Sequence, residues 1–142
     1  QTATSFTTSS QDIKITEVPY SLLKLALFPK SREQLHSVIE KRVQYMLKSG
    51  LVEEVEEILH SYPSLDDSYP SFRTVGYRQT YHFLIKQISR ADLKDKIVFA
   101  TRQLAKRQMT WMRKMDNLEI FEPFTKDLNS KVKSRIESFL SN

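Results

Sequence analysis

Ala100-Thr-Arg-Gln-Leu-Ala-Lys-Arg-Gln-Met-Thr-Trp-Met-Arg113 reads as the latter part of a long helix with two chemically different sides. At about 100° per residue, Leu93, Ile97, Ala100, Leu104, Trp111 and Met115 fall in one narrow arc, and Arg102, Lys106, Arg107, Arg113 and Lys114 occupy another sector. One face is expected to meet a core and the other an anion. No acidic residue stands between Thr101 and Met115, so these cations lack i,i+4 acids to pair with. The chain has 22 Lys and Arg against 17 Asp and Glu, so with those five set aside the remainder is neutral and the net +5 resides in this segment. Gln103, Gln108 and Thr110 are interleaved with the cations and can donate to phosphate or read a base edge. A merely solvated helix face usually mixes signs, and this one points to phosphate.

The helix is expected to open at Ser89, where an acid three residues later, Asp92, has the spacing of an N-cap. Upstream of it, Ser71-Phe-Arg-Thr-Val-Gly-Tyr-Arg-Gln79 gathers Arg73, Tyr77 and Arg78 around Gly76, and Tyr77, Tyr81, Leu84, Ile85 and Ile88 suggest a short amphipathic helix. Gly76 permits positive φ or close approach to the backbone. A turn carrying guanidinium groups into a helix start is a natural anion site, although two loop arginines could equally bridge helices. If this loop folds beside the basic helix, both supply one anionic groove. Trp111 could stack on a base, but its place on the apolar arc favours core packing. Gln108 lies near the same arc, where a buried amide would need a hydrogen-bond partner.

Leu22 to Phe28 is an apolar run stopped by Pro29 and reads as one buried strand. Ser31-Arg-Glu-Gln34 has the form of a capping box, and Leu35, Val38, Ile39, Val43, Met46 and Leu47 follow at helical spacing until Gly50. Leu51 to Leu59 makes a second helix with a stripe at Val55, Ile58 and Leu59; its four glutamates read as solvated surface. Ser61 to Pro70 reads as a loop. Leu118 to Phe121 is a second strand closed by Pro123, and Leu128, Val132, Ile136 and Leu140 mark a terminal helix. The expected fold is mostly α with one or two short strands. Two strands so far apart in sequence make no independent sheet and look like additions to a larger parallel one. Residues 1–21, Ser/Thr-rich at the outset, read as a linker or poorly ordered start, and residues 22–142 as the folded part.

With 142 residues the chain fits one domain, and 39% hydrophobic content supports a core of modest size. The lack of cysteine excludes disulfides, thiolate metal sites and a Cys nucleophile. No apolar run approaches membrane-spanning length, so a soluble, cytoplasmic protein is expected. Two glycines, Gly50 and Gly76, cannot build a Gly-rich phosphate cradle. His36, His60 and His82 have no second ligand at helical spacing and read as surface or core residues. Adjacent Asp66 and Asp67 read as turn residues. No self-contained catalytic constellation is found.

Arg73-Thr-Val-Gly-Tyr-Arg-Gln79 followed by the Ala100 to Arg113 string strongly resembles the tRNA dimethylallyltransferases, also called tRNA isopentenyltransferases. The likeness also takes in Arg42 and Met46-Leu-Lys-Ser-Gly-Leu-Val-Glu-Glu-Val55, and covers about Leu25 to Phe121 in order. The resemblance implies transfer of a dimethylallyl group from dimethylallyl diphosphate to the exocyclic amine of the adenine 3′ of the tRNA anticodon, that base being flipped into a channel. It implies tRNA contacts at Arg73, Thr74, Val75, Gly76, Tyr77 and Arg78, and again at Arg102, Lys106, Arg107, Gln108, Met109, Thr110, Trp111, Met112 and Arg113. Arg78 is the candidate for stabilising the diphosphate. The fold implied is the C-terminal part of a P-loop NTPase-like α/β fold without its N-terminal half. The family's P-loop, its general-base Asp and its anticodon-gripping insertion have no counterpart in these residues, and Mg²⁺ would be held mainly by that other half. The implied partner is the tRNA anticodon stem-loop, with no membrane, no protein partner and a monomeric full-length enzyme. These residues alone are expected to bind tRNA weakly and to transfer no prenyl group. Two other readings remain, a non-catalytic RNA-binding helical module and a structural helical domain whose basic face is incidental.

Overall fold

A computed structural model describes residues 20–141, so the expected linker lies, up to residue 19, outside the described residues. Strand β1 (Lys24–Leu27) leads into α1 (Arg32–Lys48) and α2 (Leu51–Ser61). A single 3-10 turn (Pro70–Arg73), α3 (Tyr77–Leu84) and α4 (Arg90–Met112) follow, then β2 (Leu118–Phe121) and α5 (Leu128–Leu140). The mostly helical expectation with two short strands holds.

β1 and β2 pair in parallel, with Lys24 opposite Leu118 and Leu27 opposite Phe121. A parallel pair requires a long crossover, and here it consists of α1 to α4. The ladder is extended by the Phe28 amide donating to the Phe121 carbonyl at 2.9 Å. Just beyond it, the Lys30 amide donates to Glu122 Oε2 at 2.8 Å.

The helices form where local chemistry closes their ends. Ser31 Oγ accepts from the Gln34 amide at 3.1 Å, but it is the Glu33 carboxylate, not the Gln34 side chain, that Ser31 engages in return. Gly50, at φ 99° and ψ 23°, takes the left-handed conformation that ends α1 and lets α2 begin at once. At the start of α4, Ser89 Oγ accepts from the Asp92 amide at 3.2 Å.

The core is the space between these helices. It is made of Ile39 and Val43 from α1, Leu51, Val52 and Val55 from α2, Phe72 from the 3-10 turn, and Leu93, Ile97 and Val98 from α4. Packing of α1 and α3 on α4 thus buries the first part of the long helix. The apolar arc does not continue to its end: Leu93 and Ile97 are buried, but Leu104 is exposed and Trp111 is 65% exposed. Gln108 is exposed as well, so neither the core packing expected of Trp111 nor the buried amide expected of Gln108 occurs. Val38, expected on the buried stripe of α1, is also exposed. At ~1.5 Å per residue, α4 outruns its helical neighbours, and an apolar face without a neighbour stays in water.

Candidate functional site

The segment preceding α3 is anchored by apolar contacts so that its arginines point outward. Phe72 is 3% exposed, with its ring centroid 6.2 Å from that of Tyr77 and 5.7 Å from that of Tyr81. Thr74 Oγ1 donates to the Ser71 carbonyl at 2.7 Å. Gly76 is buried at φ 101° and ψ −64°, a conformation open to glycine, and its N–H donates to Gln79 Oε1 at 2.9 Å. A Cβ there would lie 3.5 Å from Met46 Cε, so α1 approaches the turn closely. The Tyr77 hydroxyl is tied to the Glu54 carboxylate of α2, and this bond, with burial, raises the phenol above its usual range. Arg73 and Arg78 remain exposed on the other side of the turn.

Opposite them stands α4, and the two walls enclose a groove of about 520 Å³. Arg73, Val75, Arg78, Gln79 and His82 line one side; Lys96, Phe99, Gln103 and Arg107 line the other. The loop and the basic helix therefore do share one groove. Gln103 and Arg107 also line a second, adjoining groove of about 440 Å³ with Lys106, Thr110, Trp111 and Lys114. No Asp or Glu lines either groove. Among the described residues Arg73, Lys96, Lys106, Arg107 and Lys114 enter no ion pair. At the groove edge stands Asp67, whose Oδ2 lies 3.1 Å from His82 Nε2 and 4.0 Å from the Arg78 guanidinium. Asp67 is therefore a groove-edge partner rather than only a turn residue, whereas Asp66 does serve the turn by accepting from the Ser68 amide at 2.8 Å.

The five cations of the opening segment are not one face. Arg107 and Lys114 look into the grooves and Lys106 lines the second. Arg102 turns toward α1 instead: its Nε is buried without a hydrogen-bond partner. Burial first, then the Arg102 and Arg32 charges, hold the His36 imidazole below its usual pKa. Arg113 lies over the Phe28 ring, 5.1 Å from its centroid. Gln108, Met109 and Met112 line neither groove. In the loop, Val75 lines the groove, while Thr74, Gly76 and Tyr77 shape the turn. Sequence reading passed over Lys96 and Phe99. The signal for Lys96 was present, because it precedes Gln103, Arg107 and Lys114 by spacings that keep all four within about 40° on a helix.

The IPP transferase family model matches residues 1–115, most of the chain. The chain belongs to this family. Among the family's curated members, the tRNA dimethylallyltransferase of Methylobacillus flagellatus is 44% identical over 87% of this chain and 39% of its own length. That of Nitrosomonas eutropha is 42% identical over 82% of this chain and 36% of its own. Among solved structures, the full-length tRNA isopentenylpyrophosphate transferase from Bacillus halodurans superposes with a TM-score of 0.73 and 29% identity. The superposition covers 91% of this chain and 41% of that one. The tRNA isopentenylpyrophosphate transferase of Staphylococcus epidermidis gives 0.67 and 26% identity. The IPP transferase chain described here thus spans about two fifths of the length of these relatives. Its helices with a short parallel strand pair correspond to that share of their fold.

Proposed function

We propose that this chain forms the tRNA-holding wall of a cytoplasmic tRNA dimethylallyltransferase. The observation that carries the proposal is the groove between the Arg73 to His82 segment and α4, with cations on both walls, continued along α4 by a second depression, with no carboxylate in the lining of either. Charges arranged so attract a polyanion and track its backbone. In this reading the anticodon stem-loop lays its phosphates along Lys96, Arg107 and Lys114, with Arg73 and Arg78 facing them. Gln103 and Thr110 supply neutral donors. In the reaction, the exocyclic amine of the adenine 3′ of the anticodon attacks C1 of dimethylallyl diphosphate, the C1–O bond breaks, diphosphate leaves and the amine gives up a proton. Arg78 would neutralise charge on the departing diphosphate. Asp67 at the groove edge is engaged with His82 and Arg78, which supports a proton acceptor outside these residues.

No group of three His, Asp or Glu that could hold a metal ion occurs among the described residues, so they do not fit the Mg²⁺ implied by the family. Taken alone, the chain is expected to bind tRNA and to leave dimethylallyl diphosphate unconsumed.

The test is the salt dependence of tRNA binding. Lys96→Glu combined with Arg107→Glu should weaken binding and lower the slope of log affinity against log salt by about 0.9 for each phosphate that is no longer neutralised. Arg102→Glu, whose side chain faces α1, should leave that slope unchanged. Equal effects of the two variants, or none from either, would refute the wall. A prenylation rate for the chain alone would refute the placement of the proton acceptor.

A further inference from the structure

We infer that Asp67 is a built-in competitor for the phosphate that binds Arg78, a carboxylate that holds this arginine until a phosphate displaces it. The inference deepens the proposed function and rests on the reading that the groove between the Arg73 to His82 segment and α4 takes phosphate. Asp67 stands outside the lining of that groove, whereas Arg78 and His82 are part of it. These two lie four residues apart on α3, so they share one face of the helix. Both reach the same oxygen, Asp67 Oδ2, which is 3.1 Å from His82 Nε2 and 4.0 Å from the Arg78 guanidinium. The loop fixes the carboxylate through its neighbours: Asp66 Oδ1 accepts from the Ser68 amide at 2.8 Å, and the Asp66 carbonyl accepts from the Tyr69 amide at 3.3 Å.

The two contacts of Asp67 differ in kind. A carboxylate only accepts, so His82 Nε2 donates to it in a hydrogen bond of ordinary length. The guanidinium at 4.0 Å is an ion pair too long for a hydrogen bond. Arg78 and Asp67 are 52% and 42% exposed, so water screens their attraction. A phosphate entering the groove offers the same guanidinium short, charge-assisted and bidentate bonds, and the exchange favours it. Asp67 is not stranded by that exchange, because it keeps the bond from His82. The carboxylate therefore weakens the groove's hold on phosphate without closing it, and an anion that cannot match the guanidinium fork does not displace it. His82 moderates the competition by drawing Asp67 to itself.

The chain is titrated with a hairpin RNA and, separately, with inorganic diphosphate, at fixed ionic strength and neutral pH. Asp67→Asn, which keeps the shape of the side chain and an acceptor for His82, should tighten binding roughly 1.5- to 5-fold. A gain in affinity cannot come from a folding defect. In an Arg78→Gln background the gain should disappear, since the competition acts through the guanidinium. His82→Leu should weaken binding, because Asp67 is then left to Arg78, and should have no such effect once Asp67→Asn is present. A gain for the hairpin identifies the RNA backbone as the displacing phosphate and a gain for diphosphate identifies that ligand, and either supports the competitor. A gain that persists undiminished with Arg78→Gln would assign the effect to the general field of a lost charge and overturn the inference. Unchanged or weaker binding by Asp67→Asn would overturn it as well, and both results leave the RNA wall standing. Failure of the wild-type chain to bind either anion would overturn the inference and the wall together.

Discussion

Gly76 determines where two arginines point. Its φ of 101° with ψ of −64° lies where an L side chain is strained, and it turns the chain from the 3-10 segment into α3, so that Arg73 before it and Arg78 after it line the same groove wall. A Cβ would find space, at 3.5 Å from Met46 Cε, so the penalty of Gly76→Ala is conformational rather than a clash. It should cost about 1–3 kcal/mol in urea unfolding and weaken tRNA binding beyond the loss of folded protein. His36 offers a second test at this scale. The imidazole is held below its usual value of 6.5 chiefly by burial, then by Arg102 and Arg32, with Glu33 opposing. A histidine whose folded pKa is depressed takes up its proton more readily when unfolded, so its contribution is unfavourable to the fold below pH ~6.5 and disappears above it. Stability should therefore fall as pH drops through that window, and His36→Gln should flatten the fall when unfolding midpoints are compared at neutral and mildly acidic pH.

Among the helices, α4 and α5 show how unevenly elements are held. α4 is capped at Ser89 and buried at Leu93, Ile97 and Val98, and its later turns project as the groove wall. α5 has no buried residue. An open cleft of about 480 Å³, lined by Leu25, Leu27, Phe121, Val132 and Ile136, separates it from full packing against the strands. What ties it down is Arg135, whose Nε donates to both Glu119 carboxylate oxygens at 2.9 and 2.7 Å and whose terminal nitrogen adds a bond at 2.5 Å. The bidentate pair lowers the Glu119 carboxyl, so its support is present above the usual carboxylate value of 4.5 and is lost as the pH falls through the depressed one. Both groups are partly exposed, so the pair is a weak tie. Arg135→Ala should lower global stability little and should speed amide exchange in α5 while leaving α1 to α4 protected. Uniform loss of protection would show that α5 belongs to the main cooperative unit.

For the molecule as a whole, much was legible in the sequence because the signals were local. Ser31, Gly50 and Ser89 marked helix ends by hydrogen bonds that reach three or four residues, and Leu118 to Phe121 is the second strand with the bounds expected of it. The long Ala100 to Arg113 string carried the family, which the match over residues 1–115 bears out. Helical periodicity by itself set the apolar arc of α4 apart from its cations, because both follow from an angle per residue. It could not determine how far along the helix the apolar side would be covered, since that depends on where α1 and α3 stop. Only the tertiary structure decided that Trp111 and Gln108 face solvent, that Arg102 turns to α1 and Arg113 to Phe28, and that Lys96 joins Arg78 across one groove. Whether a side chain becomes core, cap or site depends on neighbours distant in sequence, and their positions exist only once the helices have packed.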